Sequence, residues 1–132
     1  MDMATSARDS RPHILIVEDE WLVAEDFEHA LREADFAVVG PASSLAKALE
    51  YIECDLIDGA LIDVNLGEGI SEALARALEE RNIPFAVVTG YDVDDLPSLL
   101  SRHPVVNKPV GERALPQLVS KLLEKATDQP RG

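Results

Sequence analysis

Cysteine is nearly absent. Cys54 is the one thiol among 132 residues, so no disulfide can close within the chain, and a reducing, cytoplasmic setting is expected. Aromatic residues contribute only 5%, too few for a platform on which bases could stack. Positive charge is also scarce: 12 Lys and Arg stand against 25 Asp and Glu, for a formal net charge of -13. The basic residues are scattered singly, and such a field repels a phosphate backbone, so nucleic acid is not an expected partner. No apolar run reaches the roughly 18 residues of a membrane span. The opening Met1-Asp2-Met3-Ala4-Thr5-Ser6 has no basic stretch followed by an apolar one, so no secretory signal and no membrane association are expected.

What is present is a composition of 46% hydrophobic and 28% charged residues, that of an ordinary globular domain. One domain is expected over 12–126, with a disordered tail at 1–11 and a polar tail at 127–132. His13-Ile14-Leu15-Ile16-Val17 is a β-branched apolar run ended by Glu18-Asp19-Glu20, the pattern of a strand buried on both faces. From Trp21 the period becomes helical through Val23, Phe27, Ala30, Leu31 and Ala34. Phe36–Gly40 reads as a second strand closed by Gly40-Pro41. Ser43 or Ser44 can cap the helix carrying Leu45, Ala48, Leu49 and Ile52. Gly59–Asp63 is a third strand, Ile70 to Leu78 mark a third helix, and Pro84–Val88 and Pro104–Asn107 are the last strands. Between those two, Pro97 admits a helix only from about itself onward, so a short fourth helix is expected at Ser98–Arg102. Leu115, Leu118, Val119 and Leu122 form the last helical stripe; Pro116 leaves its start open between Glu112 and Leu115. Strands alternating with helices imply an α/β fold with a doubly wound, five-stranded parallel sheet.

In such sheets ligands sit at the carboxyl ends of the strands. There the sequence places Glu18 and Asp19, then Asp63, then Thr89, then Asn107 and Lys108. Crowded carboxylates repel unless a proton or cation intervenes, and a hard divalent cation such as Mg²⁺ (or Mn²⁺) prefers oxygen ligands. Lys108 and the Thr89 hydroxyl could bind an anionic group at the same place. A nucleophilic carboxylate, a metal, a lysine and a hydroxyl are the parts that phosphoryl transfer needs.

The pieces Ile14-Leu15-Ile16-Val17-Glu18-Asp19-Glu20, Leu61-Ile62-Asp63-Val64-Asn65-Leu66, Val87-Val88-Thr89-Gly90 and Asn107-Lys108-Pro109 resemble the receiver domain of two-component response regulators (CheY-like), from about His13 to Lys125. The resemblance implies a flavodoxin-like (β/α)5 sheet of strand order 2-1-3-4-5, here with a shortened fourth helix. It implies that Asp63 accepts phosphate from the phosphohistidine of a sensor histidine kinase. Asp19, Asp63 and the backbone carbonyl of Asn65 would ligate Mg²⁺, with Glu18 acting through a water. Thr89 and Lys108 would contact the phosphoryl group, and the Lys108-Pro109 peptide would be cis. Pro84-Phe85-Ala86-Val87-Val88-Thr89-Gly90-Tyr91 is similar to a stretch of the FAT GUY receivers, which are found with HWE-type kinases; the match is partial, with Val87-Val88-Thr89 in place of Phe-Ala-Thr. Val105 stands where many receivers carry a switching aromatic, which leaves Tyr91 as the nearest substitute. Asn65 and Tyr91 occupy positions that tune water access and so phosphoryl lifetime.

A stand-alone response regulator is therefore expected: bacterial and cytoplasmic, a monomer or weak dimer, signalling by protein contact or acting as a phosphate sink. It would not be an enzyme beyond self-phosphorylation and slow loss of the aspartyl phosphate. The alternative is a receiver-like interaction module that is never phosphorylated. A haloacid-dehalogenase-like phosphatase is disfavoured by Asn65, where that chemistry wants a second acid. Glu20 reads as a charge favoured by the helix dipole rather than a ligand, and Trp21 as an anchor packed beside the acidic rim. Cys54, between Glu53 and Asp55, is expected to be inert. His13, His29 and His103 share no metal-ligand spacing.

Overall fold

The computed structural model describes residues 10–54, 56–66, 69–90, 95–111 and 113–128. Residues 1–9, most of the expected tail, lie outside these, as does Tyr91. Elements alternate along the chain: β1 (His13–Val17), α1 (Trp21–Glu33), β2 (Ala37–Ala42), α2 (Leu45–Cys54), β3 (Gly59–Asp63), α3 (Ile70–Glu80), β4 (Phe85–Thr89), α4 (Ser98–Ser101), β5 (Val105–Asn107) and α5 (Ala114–Asp128). All strand pairs are parallel, in the order β2-β1-β3-β4-β5. The expected doubly wound sheet and its shortened fourth helix are thus both present.

The strands are apolar on both faces because both faces are covered. Ile14, Ile16, Leu61, Ala86 and Val88 point into one core with Phe27, Leu31, Leu115 and Val119 of α1 and α5. Their alternates Leu15, Val17, Ala60, Ile62, Phe85 and Val87 fill the other, against Ile52, Leu74, Leu78 and Leu100 of α2, α3 and α4. Four-residue α4 buries Leu100 in the second core, and cross-links follow it: Arg102 reaches both carboxylate oxygens of Glu79 at 2.9 Å. His103 Nε2 lies 2.6 Å from the same carboxylate, with its ring 3.9 Å from that of Phe85.

Several boundaries differ from the sequence reading. Gly40-Pro41 does not close β2: the strand runs to Ala42, with a register shift between Leu15 and Val17. Gly40 takes φ 91, and the shift in register there lets the chain kink and pair again rather than stop; the Gly40–Pro41 peptide is cis. Helix α4 ends at Ser101. Helix α5 begins at Ala114, between the two expected starts, and runs to Asp128, beyond the expected boundary at 126. Pro116 falls in its first turn, where no helical N–H bond is required. Of the two serines before α2, Ser44 is the cap, accepting from Lys47 N at 3.2 Å.

Candidate functional site

The strand order reverses direction at β1 and β3, so the crevice between their carboxyl ends is the place for a ligand. Val17 is paired with Ile62, which sets Glu18 level with Asp63. On the far side Asp63 pairs with Val88 and Thr89 with Asn107, which brings Lys108 just past the rim. Ladder bonds continue beyond the strands and fix this backbone: Glu18 N donates to Ala42 O at 3.0 Å, Val64 N to Val88 O at 3.0 Å, and Lys108 N to Thr89 O at 2.8 Å. The pairing of β2 that resumes after the register shift places the Ala42 carbonyl where it accepts from Glu18 N. The Lys108–Pro109 peptide is cis.

Glu18, Asp63 and Thr89 are buried. Carboxylate oxygens of Glu18, Glu20 and Asp63 all lie within 4.8 Å of one another. Lys108 Nζ stands among them, 3.1 Å from Glu20 Oε1, 3.2 Å from Glu18 Oε1 and 3.4 Å from Asp63 Oδ2. The contact to Glu18 is an ion pair without hydrogen-bond alignment, and Glu18 Oε1 is buried with no hydrogen-bond partner. Burial, and then a hydrogen bond shared with Asp63, push the Glu18 carboxyl up to about 7. For Lys108, burial pulls the ammonium down, but the hydrogen bond to Glu20 and the charges of Asp63 and Glu18 outweigh it and leave the group raised. A crowded oxygen set with an orphaned buried oxygen fits a hard divalent cation, which would satisfy Glu18 and relieve the repulsion at once.

The expected site residues therefore fall into groups. Glu18, Asp63 and Lys108 are in contact. Thr89 lies buried on the adjoining strand, beside Asn107 in register. Asn65 is exposed, and its N donates to Asp63 Oδ1 at 3.1 Å, so the acceptor's orientation is set from its own loop. Asp19 is exposed and is not one of the three clustered carboxylates. Val105 packs at the edge of the α2/α3/α4 core. The sequence reading missed two residues. Glu20, expected as a dipole charge, occupies the N-cap position of α1 but makes no capping bond; its carboxylate goes to Lys108 instead. Ser71, 2% exposed, donates to the carbonyls of Asp63 and Val64 at 3.2 and 3.1 Å, tying α3 to the end of β3. Nothing in the sequence marks Ser71 for this tie, because both carbonyls it reaches belong to the end of β3 and the residue after it. Trp21 is no packed anchor: it is 67% exposed, next to Leu22 at 63%.

The response regulator receiver domain family model matches residues 14–120. No curated protein sequence matches the chain. A CheY-like receiver domain protein from Methanospirillum hungatei JF-1 superposes with TM-score 0.80 at 25% identity, over 92% of this chain and 100% of that one. SdrG from Pseudomonas melonis Fr1, in its BeF3-activated conformation, gives TM-score 0.75 at 38% identity over 87% of this chain and 99% of its own. A receiver protein from Sinorhizobium medicae WSM419 gives 0.74 at 27% identity, over 89% and 98%. With this sheet order, this rim and that match, the chain belongs to the response regulator receiver domain family of two-component signalling.

Proposed function

We propose that this receiver accepts a phosphoryl group on Asp63, with a divalent cation such as Mg²⁺, from the phosphohistidine of a sensor kinase. The observation that carries the reading is Asp63 at the switch point, 1% exposed yet within 3.4 Å of Lys108 Nζ. In the transfer a carboxylate oxygen of Asp63 forms the new bond to phosphorus, the P–N bond of the donor breaks, and the imidazole leaves with the electron pair. Asn65 N orients the acceptor oxygen, and Lys108 is placed to meet the charge on the incoming group. Thr89, at the end of the neighbouring strand, offers a hydroxyl on the same rim. Glu18 and Asp63 would hold the cation together with Asp19 and the Asn65 carbonyl, and it would neutralise the charge that gathers on the phosphoryl oxygens.

The finer reading is a cytoplasmic regulator, a monomer or weak dimer, whose donor is a kinase of the HWE type, in line with the partial FAT GUY stretch. It passes its signal by protein contact or drains phosphate from another regulator, and it turns over no phosphate ester. The likeness to SdrG, described in a BeF3-activated form, supports a chain that responds to a phosphoryl-shaped ligand. Intact mass after acetyl phosphate and Mg²⁺ tests the reading. An adduct of about 80 Da on the wild type and none on Asp63→Asn is expected. A wild type that binds Mg²⁺ but takes no adduct from acetyl phosphate or from phosphorylated kinase would leave the interaction-module alternative standing.

A further inference from the structure

Lys108 is held by three carboxylates that differ in kind. Glu18 and Asp63 are buried side chains, each 1% exposed, whereas that of Glu20 is 59% exposed at the mouth. The ammonium makes its shorter hydrogen bond, 3.1 Å, to the exposed one; that to Asp63 is 3.4 Å and Glu18 is not aligned for one. Among the described residues, the Glu20 side chain bonds Lys108 and lies in the carboxylate cluster, with no second role in the helix. Its backbone N is fixed by Glu18 Oε2 at 3.1 Å, and its side chain makes no capping bond to α1.

We infer that Glu20 is a positioning residue that acts through Lys108, holding the ammonium at the mouth of the pocket when Glu18 and Asp63 give their oxygens to a cation. This rests on the reading that the pocket binds a divalent cation and phosphorylates Asp63. A dication between the two buried carboxylates cancels their hold on Nζ and repels it. A lysine without another anchor has a long flexible stem and a strongly hydrated head, and it would swing into solvent. Glu20 gives it a partner on the solvent side, at hydrogen-bond distance, so the cation can enter without Lys108 leaving. The lysine then stays placed for the phosphoryl group.

The test reads the lysine itself and then the reaction. In Mg²⁺-saturated protein, the Lys108 ζ-¹⁵N resonance should report a hydrogen-bonded, slowly exchanging ammonium in the wild type and in Glu20→Asp, and a solvent-averaged one in Glu20→Gln. At saturating Mg²⁺, where a lost metal ligand no longer limits the rate, Glu20→Gln should slow adduct formation by about fivefold in the wild-type background. In Lys108→Ala the same change should alter the rate by less than about twofold, since contacting residues couple and this contact is then gone. An unchanged Lys108 resonance in Glu20→Gln overturns the inference. So does an equal rate loss in both backgrounds, which would make Glu20 a direct metal ligand or a mere field charge. Failure of the wild type to bind Mg²⁺ at all would instead strike at the phosphorelay reading, and would be seen before any variant is compared.

Discussion

On the proposed reading, Glu18 ties acid–base chemistry to metal binding in a single residue. Its ordinary value is 4.5, and burial with the shared Asp63 hydrogen bond raises it to about 7. A carboxyl that holds its proton more tightly in the folded state makes the metal-free fold lose stability as pH rises from 4.5 toward 7, and level off above. A cation needs the carboxylate and must expel that proton, so Mg²⁺ affinity should move the other way, rising through about pH 7. Calorimetric titration should find binding roughly tenfold tighter at about pH 8 than at about pH 6, and Glu18→Gln should flatten the profile. Equal wild-type affinities at the two values would show that the proton and the metal do not compete. Glu20, two positions on, carries no such burial, and its role runs through a residue 88 positions away. The sequence alone points Glu20 to the helix dipole, because the N-cap position is visible there and the tertiary partner is not.

At the scale of elements, the kinked strand β2 supplies one of the bonds that fix the acidic rim, from the Ala42 carbonyl to Glu18 N. A Cβ on Gly40 would stand 2.8 Å from Ala42 N and 3.0 Å from Ile16 O, at φ 91. Gly69 shares a positive φ, 79, but has nothing within 4 Å. Gly40→Ala therefore adds steric conflict to backbone strain and should cost about 2–4 kcal/mol, whereas Gly69→Ala bears strain alone, about 1–2 kcal/mol. Urea unfolding separates the two; similar midpoints would mean that β2 relaxes freely around the new methyl. The clash falls on the residue whose carbonyl holds Glu18 N, so Gly40→Ala should also weaken Mg²⁺ binding, and Gly69→Ala should not share that loss through the same contact. Much of this scale was legible beforehand. β3 was placed residue for residue at Gly59–Asp63, because apolar runs ended by acid or glycine are what a doubly buried parallel strand looks like. β2 runs on to Ala42, past the end expected at Gly40-Pro41, where Gly-Pro ordinarily ends a strand; pairing that resumes beyond it leaves no local mark. Trp21 misled for a related reason: its apolar character suggested burial, but the helical phase starting at Trp21 turns Ala24 and Phe27 inward and leaves Trp21 and Leu22 out.

The whole molecule carries a formal charge of -13 on 132 residues, and three of its acids converge on one pocket. Self-repulsion of that size works against the compact state and is screened by any salt. A cation that binds between Glu18 and Asp63 does more, because it adds its binding free energy to the folded state alone. The two effects differ in shape. Screening by NaCl should raise the melting temperature gradually and alike in wild type and Asp63→Asn. Mg²⁺ at about a hundred times its dissociation constant should add about 2.7 kcal/mol to the wild type, which for a domain of this size is roughly 5–15 °C. EDTA should reverse that increment at constant ionic strength. In Asp63→Asn, and in Glu18→Gln, the Mg²⁺ curve should collapse onto the NaCl curve matched for ionic strength. If Mg²⁺ and matched NaCl stabilised the wild type equally, the acidic rim would be a diffuse field that gathers counterions, and the pocket would not be a metal site. A separation that survives in both variants would put the bound cation elsewhere on the acidic surface. Only a separation lost with Asp63 and Glu18 ties the charge of the whole chain to the chemistry at the switch point of its sheet.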